Sequence, residues 1–266
     1  MSAFAGNSLL CRLALRHTSI DAASFSSLRL ASGALFLAWL ASRRAPAAHP
    51  LRGNVVSALA LWAYAAAFSF AYLGLTAATG ALILFGTVQL TMTATGLWHG
   101  ERLTPPQLAG MAMAVGGLVY LLLPGVAAPG WRSGSLMVVA GVAWGVYSLR
   151  GRGVADPLTV TAGNFRLAVV PALLLSALML SQFSWDGMGA LYAVVSGALA
   201  SGAGYAVWYS VLPRLKATQA ATVQLSVPVL AALGGALLLG EVLSPRLMLA
   251  ALVVLGGVAL VSLPRR

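Results

Sequence analysis

The 266-residue sequence has few charged residues: Asp, Glu, Lys and Arg together make up 8% of it. Because soluble domains carry about 25% charged residues, this composition excludes an ordinary water-soluble protein. Among the charged residues the acidic ones are fewer, with five aspartates and glutamates against 16 lysines and arginines. A single cysteine, Cys11, excludes a disulfide framework.

Motifs for catalysis and cofactors are also missing. The three histidines, His17, His49 and His99, lie far apart and predict no metal site. No third glycine follows Gly151-Arg152-Gly153 at the dinucleotide spacing, and no Gly-x-Ser-x-Gly element occurs. The sequence therefore predicts no metal, no cofactor and no enzyme. The rival class, a membrane enzyme, would need an intramembrane Ser/His, Asp/Asp or metal constellation.

Apolar runs account for most of what is present. Hydrophobic residues make up 60% of the chain, and its mean hydropathy is +0.90. Runs of roughly 17–25 residues can cross a bilayer as helices, in which every backbone amide finds a partner. The predicted spans are 1–15, 22–42, 54–74, 80–98, 105–123, 134–150, 158–180, 188–212, 217–239 and 245–263. The first is short for a bilayer.

Two segments of the chain repeat one pattern. Gly100-Glu101-Arg102-Leu103-Thr104-Pro105 and Gly240-Glu241-Val242-Leu243-Ser244-Pro245 each continue through a Gly-Gly pair to Leu-Pro, with eight of 25 positions identical. The repeat predicts two units, 1–124 and 134–266. Five spans per unit is an odd number, so the second unit enters the membrane inverted. The predicted fold is an all-α integral membrane protein, with ten transmembrane helices as two inverted five-helix repeats.

The basic residues predict topology rather than a nucleic-acid partner, because they are scattered between apolar segments. Basic residues concentrate in cytoplasmic connections. If the N-terminus is cytoplasmic, the inner connections hold Arg43, Arg44, Arg52, Arg102, Arg150, Arg152, Arg214, Lys216, Arg265 and Arg266, against Arg16, Arg132 and Arg246 outside. Ten basic residues in the inner connections against three in the outer ones predict that both termini are cytoplasmic.

The repeated Gly-Glu-x-Leu-Thr/Ser-Pro pattern with its Gly-Gly helix resembles the EamA domain of the drug/metabolite transporter superfamily. Supporting segments are Phe4-Ala5-Gly6-Asn7-Ser8, Phe25-Ser26-Ser27-Leu28-Arg29-Leu30 and Trp144-Gly145. The resemblance implies ten helices, cytoplasmic termini, alternating access, and export of amino acids or other small metabolites across the bacterial cytoplasmic (inner) membrane. A multidrug efflux carrier of the same fold is the alternative.

In such a carrier, spans three, four, eight and nine, with parts of one, two, six and seven, should surround a central cavity. Spans five and ten should be peripheral. The candidate substrate-binding residues are Asn7, Arg29, Tyr64, Phe68, Gln89, Thr93, Trp144, Tyr147, Asn164, Arg166, Ser201, Tyr205, Trp208 and Gln224. Pro228, which removes a backbone hydrogen bond from span nine, is a candidate gating hinge. The expected partners are a small-molecule substrate and the lipid bilayer.

Each candidate also has a structural interpretation. The small residues beside Gln89 and Gln224 suit close helix packing. Aromatic residues such as Trp208 also occur at headgroups. Arg29 and Arg166 take comparable places in spans two and seven. In the first interpretation the guanidinium binds the carboxylate of a substrate, and in the second it extends to the membrane interface.

The acids complete the set of expectations. We expect Glu101 and Glu241 to cap the turns into spans five and ten. Since none of the five acids lies deep in a span, the sequence favours a facilitator, or a carrier without a midplane carboxylate.

Overall fold

The computed structural model describes residues 1–44, 52–100, 102–125, 128–152, 154–211 and 223–262. Within these ranges the chain forms ten helical segments and no strand. They are α1 Ser2–His17, α2 Ala22–Arg44, α3 Val55–Tyr72, α4 Ala77–Trp98, α5 Pro105–Leu122, α6 Trp131–Arg150, α7 Pro157–Leu178, α8 Gly187–Val195 continuing through Ser196–Ala203 and Gly204–Val211, α9 Ser226–Leu239, and α10 Pro245–Val261. A short 3-10 helix, Leu180–Gln182, follows α7.

The predicted helical membrane protein is confirmed. In the described part of the chain, six helices are long and apolar enough to cross a bilayer: α2, α3, α4, α5, α7 and α8, while α9 and α10 are shorter apolar helices. Each predicted span overlaps one of the ten segments. The predicted residues that lie outside the described part of the chain are Glu101, residue 212, the 217–222 start of predicted span nine, residue 263, and the basic residues Arg214, Lys216, Arg265 and Arg266.

The prolines in the repeated pattern begin helices, as the sequence predicts. Ser244 precedes Pro245 and accepts a hydrogen bond from the backbone N–H of Leu247 at 3.2 Å. Thr104 precedes Pro105, and its backbone N–H donates to Gln107 Oε1 at 3.0 Å. Both arrangements satisfy backbone groups that a helix start leaves unpaired, and proline there costs no donor.

Helix α8 contains an eight-residue π-helical segment, Ser196–Ala203. A π-helix bonds residue i to i+5, so side chains five apart lie close to one another rather than on different faces. Such segments are rare and frequently lie at functional sites. This one brings Ser196 and Ser201 to the same side of α8, which faces the interior of the bundle.

Contacts between helix ends define two ends of the bundle. At the end that we call the far end, α1, α3 and α9 finish and α4 begins, because Arg12 contacts Tyr72 and Glu241, and Glu241 contacts Ala77. At the near end, α3 begins where α6 finishes, because Arg150 binds Asn54.

Helices α5 and α10 pack extensively against each other, and α4 is the element that both also contact. Gly110 and Gly257 allow this close approach, since a Cβ at Gly110 would lie 2.5 Å from the Gly257 carbonyl oxygen. The remaining helices enclose the interior. Within it α2 packs against α7, α3 against α6, and α1 against α8 and α9.

Candidate functional site

A buried arginine lies at the centre of the helical bundle. Arg29, on α2, is only 1% exposed. Its Nε donates to Ser201 Oγ on α8 at 3.3 Å, and its Nη2 donates to the Tyr64 hydroxyl on α3 at 3.0 Å. The guanidinium carbon also lies 5.1 Å from the Tyr64 ring centroid and 4.9 Å from that of Phe68. The positive charge is therefore held by hydroxyls and by the negative faces of aromatic rings.

Tyr64 links Arg29 to Asn7 on α1 and, through Asn7, to Ser196 on α8. Its hydroxyl also accepts a hydrogen bond from Asn7 Nδ2 on α1 at 3.2 Å. Asn7 Oδ1 in turn accepts a short hydrogen bond from Ser196 Oγ in the π-helical segment of α8. Buried polar groups in a membrane protein face the interior and mark substrate pathways. Asn7, Arg29, Tyr64, Ser196 and Ser201 are here called the polar centre.

Aromatic rings pack around the polar centre. Trp144, on α6, has its ring centroid 4.9 Å from that of Tyr64 and 5.0 Å from that of Tyr205. Phe4 packs against Trp144, Tyr205 and Trp208 at 6.3, 5.7 and 6.3 Å. Binding sites for organic molecules combine flat apolar walls with a few polar groups, and this arrangement has both. Phe4, Phe68, Trp144 and Tyr205 are here called the aromatic shell.

Glycines let the helices that carry these groups approach closely. A Cβ at Gly197, in the π-helical segment, would overlap the Arg29 carbonyl oxygen and Ser32 Oγ. A Cβ at Gly33 would lie 2.6 Å from the Phe165 ring. The contact between α2 and α8 that places Ser201 against Arg29 thus depends on the missing side chain at Gly197.

Two cavities lie towards the near end, beside the aromatic shell. The larger, about 190 Å³, is lined by residues that include Tyr147, Arg150 and Asn164. Asn164 Oδ1 accepts a hydrogen bond from the backbone N–H of Asn54 at 2.8 Å, and Tyr147 stacks on Trp144 with centroids 5.5 Å apart. The smaller, about 70 Å³, reaches Tyr205. Both cavities therefore stop at rings that contact Trp144.

A buried ion pair lies at the far end. Arg12 Nε is 3.0 Å from Glu241 Oε1, and Arg12 Nη1 donates to the Tyr72 carbonyl at 2.9 Å. Glu241 Oε2 accepts from the backbone N–H of Ala77, at the start of α4, at 2.8 Å. The expectation that Glu241 caps the turn into α10 is therefore wrong. Its carboxylate caps α4 instead, where the helix dipole favours an anion.

Most of the predicted site residues come together in the structure. The residues that form the polar centre, the aromatic shell or the adjoining cavities are Asn7, Arg29, Tyr64, Phe68, Trp144, Tyr147, Asn164, Ser201 and Tyr205, with Trp208 touching Phe4 at the edge.

The other candidates lie elsewhere. Gln89 and Thr93 are half-buried on α4, Gln224 is half-buried just before α9, and Arg166 is exposed on α7. Pro228 is in the first turn of α9, where it has no N–H to donate to the Gln224 carbonyl oxygen, and the helix is interrupted at Leu225. Binding roles for these residues, and a hinge at Pro228, remain predictions.

The sequence does not predict the roles of three residues: Ser196 in the polar centre, Phe4 in the aromatic shell, and Arg12 in the far-end ion pair. An α-helix turns about 100° per residue, which would place Ser196 and Ser201 on different faces. The π-helical segment is what brings the two side chains to the same side. Phe4 lies in a segment that resembles the family, yet it is not among the predicted site residues. Arg12 carries a visible signal, a lone charge inside an apolar span, which demands a buried partner.

Comparison with known proteins agrees with a helical membrane protein. The sequence model described as EamA-like transporter family matches residues 132–263. A Pseudomonas aeruginosa protein, Uncharacterized protein PA1977, is 59% identical over 265 residues, covering 100% of this chain and 92% of that protein. One solved crystal structure of a protein superposes with a TM-score of 0.67 at 22% identity, over 97% of this chain and 94% of the other.

The chain belongs to the EamA-like transporter family, within the drug/metabolite transporter superfamily. It is accordingly a membrane transporter of that type.

Proposed function

We propose that this transporter exports a small organic metabolite, an amino acid or a related compound, across the bacterial cytoplasmic membrane by alternating access. The polar centre with its aromatic shell is the binding site. The observation that carries the proposal is Arg29, a fully buried guanidinium enclosed by side chains of α1, α2, α3 and α8. An ionisable group so placed inside a membrane protein is costly and is retained for function.

Alternating access is supported by the difference between the two ends of the bundle. At the far end, the Arg12–Glu241 pair joins α1 to the α9–α10 turn and to the start of α4. At the near end, the cavities of about 190 and 70 Å³ extend to Tyr147 and Tyr205. The excess of basic residues in near-end connections supports a cytoplasmic location for that end. A site approached from the cytoplasm suits export.

The helix contacts support two inverted halves, residues 1–124 and 134–266. Exchanging the halves maps α1 to α6, α2 to α7, α3 to α8, α4 to α9 and α5 to α10. Under this exchange the α2–α7 and α5–α10 contacts map onto themselves, the α3–α6 contact maps onto α8–α1, and the α4–α6 contact maps onto α9–α1. A binding site between inverted halves near the membrane midplane is the arrangement found in many secondary transporters.

The abundance of rings favours multidrug efflux as a second candidate. Several aromatic side chains in mutual contact suit flat apolar compounds of varied shape. A cationic drug, however, would face the buried charge of Arg29. Efflux assays with cationic dyes separate the two functions, and we expect no faster dye efflux from cells that make this protein.

Comparing metabolites in the medium and in cell extracts tests export directly. Cells that make the protein should release at least one small metabolite faster than cells that make Arg29→Gln. Arg132→Gln changes an exposed arginine and should release it at the unaltered rate. Identical profiles for the protein and Arg29→Gln, at equal membrane levels, would contradict the proposal. So would tags that place the Glu101 and Glu241 turns on one side of the membrane.

A further inference from the structure

We propose that the polar centre binds the carboxylate of an organic anion that has a flat apolar body and no amino group. This inference rests on the proposed function, because it names the class of metabolite that the same site would take. Three features of the described residues carry it: an arginine donor without a partner, a tyrosine hydroxyl that accepts twice, and the placement of the acids.

The first feature is Arg29 Nη1. A guanidinium has five N–H donors. In Arg29, Nε donates one hydrogen bond to Ser201 and Nη2 donates one to Tyr64. Nη1 is fully buried and has no hydrogen-bond partner among the described residues. A buried donor without an acceptor is unfavourable, so the site is completed by a ligand that brings an acceptor. A carboxylate matches the edge of a guanidinium with two parallel hydrogen bonds.

The second feature is the Tyr64 hydroxyl. Its oxygen accepts from Arg29 Nη2 and from Asn7 Nδ2. A hydroxyl has two acceptor positions and one O–H donor, so both acceptor positions are used and the hydrogen is left to donate. Arg29 and Tyr64 thus both offer donors to a ligand. A group that only accepts, such as a carboxylate, satisfies them, whereas an ammonium group would add a further donor.

The third feature is the placement of the acidic residues. Of the four acids in the described ranges, none lies in the polar centre. Asp21, Asp156 and Asp186 accept from backbone N–H groups at helix starts, and Glu241 pairs with Arg12. Among the described residues, the charge of Arg29 is therefore balanced only by hydroxyls and ring faces. Asp156 lines the smaller near-end cavity, where it caps the start of α7. Within the polar centre, however, no described carboxylate is present to bind a positive group, so the charge there selects an anion.

The aromatic shell sets the rest of the ligand. Trp144 stands between Tyr64 and Tyr205, with centroid distances of 4.9 and 5.0 Å. The flat faces of these rings suit a planar apolar body, which would stack against them. The larger near-end cavity is lined by Arg150, whose guanidinium donates to Asn54 and Ser57. A basic residue at this cavity favours the approach of an anion.

The test compares four probes with the same ring and different charge. Phenylacetate is an anion, phenylacetamide is neutral, phenylalanine is a zwitterion and phenethylamine is a cation. Binding to the purified full chain in lipid nanodiscs is measured by calorimetry, with 1-naphthylacetate as a larger anion. We expect an anion to bind about tenfold or more tightly than phenylacetamide, and the zwitterion and cation to bind no better than the amide.

Variants assign the selectivity to Arg29. Arg29→Gln should remove the preference for the anion, Arg29→Lys should retain part of it, and Arg132→Gln should leave it intact. The probe series on the unaltered protein decides the matter even if Arg29→Gln does not fold. Equal or tighter binding of phenylalanine or phenethylamine would overturn the inference, as would no binding of either anion.

The two proposals fail separately. If the released metabolite carries an amino group, the anion inference is wrong and export stands. If an anion binds but the metabolite profiles of cells making the protein and Arg29→Gln are identical, the export proposal is wrong and the site assignment stands.

Discussion

Arg12 and Glu241 lie 229 positions apart in the sequence and form a buried ion pair, with Arg12 Nε 3.0 Å from Glu241 Oε1. The pair joins the end of α1 to the turn between α9 and α10. Glu241 also accepts from Ala77 N–H at the start of α4. Three separate segments thus meet at one carboxylate at the far end of the bundle.

Removing the charge of Glu241 should destabilise the protein. In Glu241→Gln the Arg12 guanidinium stays buried without a carboxylate, and losing one partner of a buried pair costs about 3–5 kcal/mol. We expect the free energy of unfolding in detergent to fall by about 3 kcal/mol. Denaturant titration followed by circular dichroism measures it.

A double-mutant cycle separates the ion pair from the other contacts of these residues. Arg12→Met removes the charge on the other side, so the double variant no longer buries an unpaired ion. Its loss of stability should be smaller than the sum of the two single losses by about 1–3 kcal/mol. Strictly additive losses would mean that the pair carries no coupling energy.

Gly197 should tolerate no side chain. A Cβ there would overlap the Arg29 carbonyl oxygen and Ser32 Oγ, so Gly197→Ala forces α2 and α8 apart. Overpacking of this kind costs about 1–3 kcal/mol, and it also moves Ser201 away from Arg29. Thermal unfolding and metabolite release should both decline. Gly116→Ala, on α5, meets no atom within 4 Å and should leave both unchanged; equal effects of the two variants would contradict the prediction.

Much of the fold could be predicted from the sequence because the signals are local. Hydropathy over a span, and a capping hydroxyl followed by proline, depend on neighbouring residues only, and Ser244-Pro245 begins a helix as expected. Pro228 shows the limit of such signals. The same ring that predicts a bend within a long helix lies in the first turn of α9 in the structure, after an interruption at Leu225.

The site could be predicted less completely, because its geometry is tertiary. Arg29 and Arg166 occupy comparable places in α2 and α7, yet one is buried and the other exposed. Sequence alone gives no way to choose between them, since helix rotation against neighbours decides which side chain faces inwards. Ser196 required the π-helical segment, and the partner of Arg12 required the folding of a chain segment 229 positions away.

The Tyr64 hydroxyl should matter more than its ring. Tyr64→Phe keeps the contacts with Phe68 and Trp144 but removes the oxygen that accepts from Arg29 and Asn7. Hydrogen bonds to charged groups contribute about 1.5–3 kcal/mol, so the affinity for the exported metabolite should fall about tenfold or more. Concentration-dependent uptake into proteoliposomes measures it. Tyr120→Phe, an exposed tyrosine on α5, is the matched control and should transport normally.

Transport should not be driven by protons. The described acids Asp21, Asp156 and Asp186 lie at helix starts, and Glu241 is held by Arg12, so no described carboxylate stands in the polar centre to carry a proton. Proton-coupled carriers place a titratable group in the pathway. In proteoliposomes with the voltage held at zero by potassium and valinomycin, an imposed pH gradient should leave the labelled metabolite at equal concentrations inside and outside. The downhill flux without a gradient serves as the control that the protein is active. Accumulation against the metabolite's own gradient, reversed when the pH gradient is reversed, would show that a proton pathway exists and that a facilitator is the wrong description.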